Sequence, residues 1–375
     1  DYAPATVKEI LQGLGFRVSA ENPEGMTVQV PLHKTDVSLP ADIAEEVMRI
    51  DGFDNIAIPA TIAFSPATAQ DGDAEAWKEK TAAALVGLGF HEMVNNSITH
   101  SAFYTEAELA TGVRMMNSLS AELDMMRPSM LETGLQAVSH NLNRKNLDLR
   151  LFEFGKTYQR RGEGAFEESD HLSLFVSGLK QPAGWQEKPQ ASDLYFIKGI
   201  LRALFRHLGK DEPAWEAIPD MRLDGALQAT HAGRPLVTLG RVNRKTLDRF
   251  DIRQEVWFAD IRWNQLLDIL RSQGIRYREL PRYPGVQRDL AIVVDKSLSY
   301  GQVREALDGA SMARLRQYDL FDVFESDKLG EGKKSMALSF RFRDEEKTLT
   351  DAEVDQMMQK IIRIFEKDLQ AQVRR

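Results

Sequence analysis

The sequence predicts a multidomain α+β protein in three modules, residues 1–70, 71–279 and 280–375, and three observations predict it. A length of 375 residues is two to three times the ~150 residues of a typical domain. Residues 57–74 are rich in Ala, Pro, Thr and Asp and poor in large apolar side chains, which is the composition of a linker. Residues 280–375 carry strand and helix patterns in the order βαββαβ, the ferredoxin-like order.

The composition bounds the rest. Hydrophobic residues are 43% and charged residues 28% of the chain, values that exclude a disordered or fibrous protein. No run of ~18 apolar residues exists, so no membrane-spanning helix is expected. There is no cysteine, which excludes a disulfide scaffold, thiolate zinc sites and a thiol nucleophile. A reducing, cytoplasmic location fits. The chain opens on Asp1 with no signal or transit signature and runs straight into a helical pattern, so it reads as a piece of a longer protein. Residues 280–375 hold 17 Lys+Arg and 17 Asp+Glu, so the whole formal charge of −8 lies in residues 1–279. A neutral C-terminal module beside an acidic body hints at an anionic partner there.

Along the first module, Val7, Ile10, Leu11 and Leu14 recur at helical spacing over 5–15. Gly13 and Gly15 end that helix, and residues 16–18 turn extended. A strand over 26–31 follows the turn Asn22-Pro23-Glu24-Gly25. A second helix covers 40–51, with Pro40 in its first turn, where a missing amide hydrogen costs nothing, and Gly52 after its end. In the second module a helix over 75–88 closes in Gly87-Leu88-Gly89-Phe90, repeating Gly13-Leu14-Gly15-Phe16. Both read as helix stops, because a phosphate loop needs its glycines before a helix. Helices are expected over 130–142, 193–208, 244–250 and 262–270. Strands are expected over 148–154, 172–177, 236–242 and 256–260. These do not alternate evenly, so the sheet is expected to be antiparallel. The last module gives strands over 289–294, 315–324 and 335–342, helices over 299–309 and 351–369, and a short strand over 371–374. The turn Leu329-Gly330-Glu331-Gly332 joins two of these strands.

Several groups could carry chemistry. Asp42 stands three and four residues before Glu45 and Glu46, spacings that share a helix face, and Asp36 lies just upstream. Four carboxylates without His or Cys suit a hard cation such as Mg²⁺. They equally suit a solvated helix start favoured by the dipole. The seven histidines show no zinc spacing, and there is no Walker loop or Gly-x-Ser-x-Gly. Gly162 and Gly164 fall in a charged loop over 160–168, without the context of a dinucleotide site. Arg144, Lys145 and Arg150 could touch phosphate or could simply be a solvated helix end. In the last module Arg288, Lys333, Lys334, Arg341 and Arg343 lie on or beside strands, the last four around one hairpin, with Tyr318, Phe321 and Phe324 nearby. Such a sheet can bind single-stranded RNA by backbone pairing and base stacking. Ordinary amphipathic strands would look the same. Tyr318 is the stacking candidate, and Phe321 and Phe324 are assigned to the core.

Three stretches carry a family resemblance. Val30-Pro31-Leu32-His33-Lys34-Thr35-Asp36-Val37 with Ala41-Asp42-Ile43-Ala44-Glu45-Glu46-Val47-Met48-Arg49-Ile50-Asp51-Gly52 resembles one module of the bacterial phenylalanyl-tRNA synthetase beta subunit. Met126-Arg127-Pro128-Ser129-Met130-Leu131, Asn141-Leu142-Asn143-Arg144-Lys145-Asn146 and Leu149-Arg150-Leu151-Phe152-Glu153-Phe154-Gly155 resemble its synthetase-like core. Tyr283-Pro284-Gly285-Val286-Gln287-Arg288-Asp289, Leu320-Phe321-Asp322-Val323-Phe324, Gly332-Lys333-Lys334-Ser335-Met336-Ala337 and Arg341-Phe342-Arg343-Asp344-Glu345-Glu346-Lys347 resemble its ferredoxin-fold anticodon-binding domain.

The resemblance is colinear and covers nearly the whole chain. It implies a winged-helix-like, DNA-binding-like first module, a class II synthetase-like core and an RNA-binding last domain. It also implies a Mg²⁺ site attributed to both subunits, at the positions Asp36, Asp42, Glu45 and Glu46. A class II site needs a Gly-rich, Arg-bearing strand-to-helix segment as its third motif. None is seen downstream of 149–155, and residues 225–240 do not supply one. The resemblance therefore implies a catalytic fold without catalysis, in which an alpha subunit carries the active sites. Two alpha and two beta chains would then charge tRNA(Phe) with phenylalanine through an ATP-derived adenylate. Editing modules are not expected in this piece. Two other readings stand beside this one, a stand-alone RNA-binding or regulatory paralogue and an independent ligase with degenerate motifs.

Overall fold

The computed structural model describes residues 2–23, 25–65, 72–118, 120–272, 277, 279–326 and 329–374. Residues 66–71 of the expected linker, and Glu24 of the first expected turn, lie outside them. The chain divides into two compact units between residues 70 and 71.

The first unit is α1 (Pro4–Gly13), an antiparallel hairpin of β1 (Arg17–Asn22) and β2 (Gly25–Gln29), and α2 (Pro40–Asp51). Leu11, Phe16, Val37 and Val47 form its small core. The end of α1 shows why its glycines are there. Gly15 sits at φ +87°, a left-handed conformation that costs a side-chain-bearing residue a steric penalty. The Phe16 amide then turns back to the Leu11 carbonyl at 2.9 Å, and the Phe16 ring is buried. The second unit repeats this at the end of α3 (Gly72–Gly87). Gly89 has φ +85°, Phe90 donates to Leu85 at 3.0 Å, and Phe90 is buried. The repeated Gly-Leu-Gly-Phe is a helix C-cap with a hydrophobic return, as the order of its glycines requires.

After α3 come β3 (His91–Glu92), β4 (Ile98–Thr99), α4 (Glu106–Ala110), β5 (Met125–Met126), α5 (Leu131–Leu142), β6 (Leu149–Gly162), β7 (Ala165–Ser177), β8 (Leu179–Gln181), β9 (Gln190–Ala191) and α6 (Leu194–His207). The element order continues with β10 (Trp215–Ala217), β11 (Leu223–His231), β12 (Arg234–Val242), α7 (Arg244–Asp248), β13 (Val256–Arg262) and α8 (Trp263–Ser272). Seven strands make one sheet in the order β10-β11-β12-β13-β7-β6-β3. Its pairings are antiparallel except β3 with β6. Two readings are corrected here. Residues 160–168 are not a loop but the end of the β6–β7 hairpin, where Gly162 faces Ala165. The charged side chains there hide a strand because both faces of a protruding hairpin are wet. Strands β10 and β11 carry no clean alternation of apolar residues and were not foreseen.

The two faces of this sheet bury separate clusters. Phe152, Leu172, Leu174, Val176, Ala259 and Ile261 pack on one side with α6 and α8. Leu149, Leu151, Phe175 and Phe258 pack on the other with Leu131, Leu135 and Val138 of α5. Phe152–Phe154 and Phe154–Trp263 meet edge to face at centroid distances of 6.1 and 4.9 Å, the arrangement favoured by the ring quadrupoles.

The remaining elements are β14 (Val286–Asp295), α9 (Tyr300–Gly309), β15 (Leu315–Phe324), β16 (Lys333–Phe342), α10 (Asp351–Asp368) and β17 (Gln372–Arg374). Their sheet has the order β15-β16-β14-β17 with antiparallel pairing throughout, as a βαββαβ chain requires. Ile292, Val294, Leu338, Phe340 and Phe342 face α9 and α10 across a core that includes Val303, Leu307, Ile361 and Phe365. Ser299 caps α9 and Thr350 caps α10, each returning a bond from the residue three further on.

Candidate functional site

The acidic set of the first unit is organised around cations of the chain itself. Asp42, in the first turn of α2, accepts hydrogen bonds from the amides of Leu39 at 2.6 Å and Ser38 at 2.8 Å. These bonds hold its carboxyl below the ordinary range. One turn on, Glu46 accepts from Lys34 Nζ at 2.8 Å and Arg49 Nη2 at 2.7 Å, which also lowers its carboxyl. Glu45 and Asp36 act on the same Arg49 guanidinium through their charge. Among the described residues no group of three His, Cys, Asp or Glu side chains is placed to hold a metal ion. The chemistry of the donors fits a hard cation, but Asp42 is committed to the helix start and Glu46 to Lys34 and Arg49, so the set does not close a site.

The core sheet has a polar region that the sequence reading passed over. On the face that packs against α5, the apolar residues Leu149, Leu151 and Phe175 give way along the same strands to Glu153, Thr157, Ser173 and His171. Arg127 and Glu153 are 2% and 1% exposed and bonded at 2.8 Å. Arg127 Nε also donates to the Lys156 carbonyl at 2.8 Å, and Asn95 donates to Glu153 at 2.6 Å. Beside them Ser173 donates to Asp260 at 2.8 Å, and His171 Nδ1 lies 2.9 Å from the same carboxylate. Burial raises the Asp260 carboxyl, but His171, Ser173 and Arg262 outweigh it and leave it below its ordinary value. A carboxylate only accepts, so Nδ1 carries the proton. In the neutral ring Nε2 then accepts from Thr157, 3.0 Å away.

Arg222 bonds Glu132 at 3.1 Å and Glu108 at 3.2 Å, while burial raises the Glu132 carboxyl against the pull of Arg222. Arg161 is paired with Glu167. Arg161, Glu167, Arg222, His171, Asp260 and Arg262 are among the residues that line a cavity of about 250 Å³. Arg262 ends β13 immediately before α8, so an Arg-bearing strand-to-helix junction does exist, without the glycines expected of the third motif. Of the basic stretch near α5, Arg150 is spent internally, while Arg144 and Lys145 are exposed. Arg150 donates to the carbonyls of Lys180 at 2.7 Å and Leu88 at 3.3 Å.

In the last module the structure separates the candidate RNA contacts. Lys333 and Arg341 stand at opposite ends of β16, about 26 Å apart at ~3.3 Å per residue. Both lie on the face away from the helices, so the four hairpin cations do not form one cluster. Arg288 alternates to the helix side, where it meets Asp351 at 2.8 Å, and Lys334 donates to the Lys296 carbonyl at 2.8 Å. Arg343 lies beyond the end of β16, and its Nε is buried without a partner.

Tyr318 packs toward the helix-side core and donates to Asp308 at 2.5 Å, so its ring is not presented on the open face. Burial, then the Asp308 bond, push its hydroxyl up to about 12. Phe321 and Phe324, assigned to the core from sequence, are 59% and 52% exposed. A register shift between Leu320 and Asp322 interrupts the alternation of β15 at this point.

Three family models match the chain in order. The tRNA synthetase B5 domain covers residues 1–53, the phenylalanyl tRNA synthetase beta chain CLM domain covers 58–263, and the ferredoxin-fold anticodon binding domain covers 281–374. Together these place the chain among the aminoacyl-tRNA synthetase proteins. The CLM match alone takes in more than half of the residues, and the chain belongs to the phenylalanyl-tRNA synthetase beta chain family.

It is similar to the phenylalanine--tRNA ligase beta subunits of Bacteroides fragilis (35% identity over 98% of this chain and 47% of the relative) and Porphyromonas gingivalis (35%, 99% and 47%). The beta subunit of Geobacillus kaustophilus is 31% identical over 98% of this chain and 46% of the relative. The chain thus spans about half the length of the curated relatives it matches. A pyrrolysyl-tRNA synthetase structure from Desulfitobacterium hafniense aligns with 72% of this chain and 91% of its own at a TM-score of 0.43 and 16% identity, too distant to carry an argument. Among the described residues no helix is long and apolar enough to cross a membrane.

Proposed function

We propose that this chain acts as a noncatalytic part of a phenylalanine--tRNA ligase beta subunit, in the cytoplasm. It supports the ATP-dependent charging of tRNA(Phe) by assembling with an alpha subunit, as two alpha and two beta chains, and by binding tRNA. The observation that carries this is the colinear match of three synthetase modules along one chain. The helix–hairpin–helix order of the first module supports a winged-helix-like reading, and the seven-stranded sheet, antiparallel but for β3, supports a class II synthetase-like core. Catalytic silence has a physical motive in that core. Two of the three guanidiniums of the polar cavity, Arg161 and Arg222, are neutralised by carboxylates, and the junction that carries the third, Arg262, lacks the glycines of the third motif, so no paired clamp is formed for the charge developing on a phosphate.

The Mg²⁺ reading of Asp36, Asp42, Glu45 and Glu46 requires the alpha subunit. Glu46 would have to exchange Lys34 and Arg49 for the ion, and a second chain would have to complete the ligand shell. Bound there, Mg²⁺ would supply electrostatic cross-linking between subunits. For tRNA, the open-face cations Lys333 and Arg341 are the first candidates, with Arg288, Lys334 and Arg343 at the rim.

The test is reconstitution with purified alpha subunit and a full-length beta chain. The chain alone should give no ATP–pyrophosphate exchange with phenylalanine above a no-enzyme control. In the assembled enzyme, Lys333→Ala with Arg341→Ala should weaken tRNA binding and flatten its salt dependence, because each phosphate contact releases counterions. Lys334→Ala with Arg288→Ala should do less. Exchange by the isolated chain would overturn the noncatalytic assignment. Unchanged tRNA affinity and salt slope in both double variants would remove β16 from the RNA interface.

A further inference from the structure

The cavity on the polar half of the core sheet has no task in the function proposed above. Its charged lining is three guanidinium groups, Arg161, Arg222 and Arg262, and three carboxylates, Glu167, Asp220 and Asp260. The charges are not equally spent. Arg161 is held by Glu167, Arg222 by Glu108 and Glu132, and Asp260 by His171 and Ser173. Asp220 accepts the amides of Arg222 at 2.7 Å and Leu223 at 3.0 Å. Arg262 alone of the three guanidiniums has no carboxylate within salt-bridge distance among the described residues. The far wall is apolar, formed by Leu131, Leu223 and Phe258.

We propose that this cavity binds a small organic monocarboxylate, with its carboxylate on the Arg262 guanidinium and its apolar body against Phe258, Leu131 and Leu223. Size and charge both narrow the ligand. A cavity of about 250 Å³ lies just below the ~300–1,000 Å³ of drug-sized sites, so only a small molecule fits. A planar guanidinium presents a fork that matches a carboxylate in two parallel hydrogen bonds. Counted with Arg262, the three guanidiniums and three carboxylates of the lining cancel, so a monoanion adds one negative charge beside Asp260, Glu167 and Asp220, whereas a dianion such as phosphate adds two and is disfavoured more strongly. Thr238, beside Asp260 across the β12–β13 pairing, offers a hydroxyl to the same carboxylate.

The experiment uses the whole 375-residue chain and three probes of increasing apolar body: acetate, benzoate and indole-3-acetate. Saturation-transfer NMR and thermal shift read the binding, and inorganic phosphate serves as competitor. At least one of the two aromatic acids should bind saturably and more tightly than acetate, without displacement by equimolar phosphate. Arg262 is exposed at a strand end, so Arg262→Gln should fold normally and weaken binding at least about tenfold, with Arg262→Lys intermediate because it keeps charge but loses the fork. Thr238→Val tests the same pocket without touching a charge and should weaken binding less. Absence of saturable binding by all three acids up to about 10 mM overturns the proposal. So does equal affinity in Arg262→Gln, or tighter binding of phosphate than of the aromatic acids.

Discussion

The core sheet and the C-terminal sheet treat polar residues in opposite ways. In the core sheet a covered face carries polar groups, with Arg127 and Glu153 as a fully buried ion pair and the His171 ring hydrogen-bonded to Asp260 beside them. In the C-terminal sheet the covered face is apolar, from Ile292 and Val294 to Leu338, Phe340 and Phe342, and charged residues such as Asp289 and Asp319 alternate away from it. A buried ion pair returns little net stability, because the desolvation of both partners offsets their attraction. Its presence in the core sheet therefore speaks for a site or for conformational specificity. Among the described residues the C-terminal sheet shows no ion pair buried on both sides, and its core is apolar throughout.

The largest test of this contrast is Arg127→Met. It leaves Glu153 buried and uncompensated, and should cost about 3–5 kcal/mol in urea unfolding. If the pair is there for specificity, Arg127→Met combined with Glu153→Leu should recover much of that loss. A double variant no better than the single one would show that the pair itself stabilises the core. Gly134→Ala comes next. A Cβ there would lie 2.0 Å from the buried Phe175 ring, and overpacking of this kind costs about 1–3 kcal/mol, seen as a lowered denaturation midpoint. A variant as stable as the parent would mean that α5 can shift on the sheet without penalty.

The C-terminal module should answer to acid at its rim instead. Lys347 and the Thr350 cap hold the Glu353 carboxyl down at about 2, against an ordinary 4.5. Its contribution to stability is present in full above pH 4.5 and fades as pH falls toward 2. Glu353→Gln should remove that part of the acid dependence, which unfolding curves between pH 5 and 2 would reveal. Smallest of all should be Phe321→Ser with Phe324→Ser. Both rings are exposed, so stability should move by no more than about 0.5 kcal/mol, and a loss of several kcal/mol would return them to the core.

Local rules carried the elements whose signals are local. Pro40 and Gly52 bracket α2 at the bounds the sequence predicts, because caps and breakers act within a turn. The two Gly-Leu-Gly-Phe endings were legible because a left-handed glycine followed by a buried aromatic is a property of a few neighbouring residues. The βαββαβ order of the last module was legible for the same reason, each strand having its own period-two apolar face. By contrast, β10 and β11 were missed because they carry no clean apolar alternation, and the tip of the β6–β7 hairpin because both of its faces are wet.

What the chain by itself determined was therefore its helices other than the short α4, its stops, its antiparallel character and, through colinear motifs, its family. Tertiary structure alone decided the fate of the polar residues. Asp42 became a helix cap and Glu46 a partner of Lys34 and Arg49. Arg127 went to the interior, and Phe321 and Phe324 went to the surface. The physical reason is that a charged or aromatic side chain has several acceptable environments, and the choice depends on groups brought close only by folding: Glu153 reaches Arg127 from 26 residues away, and Asp260 reaches His171 from 89.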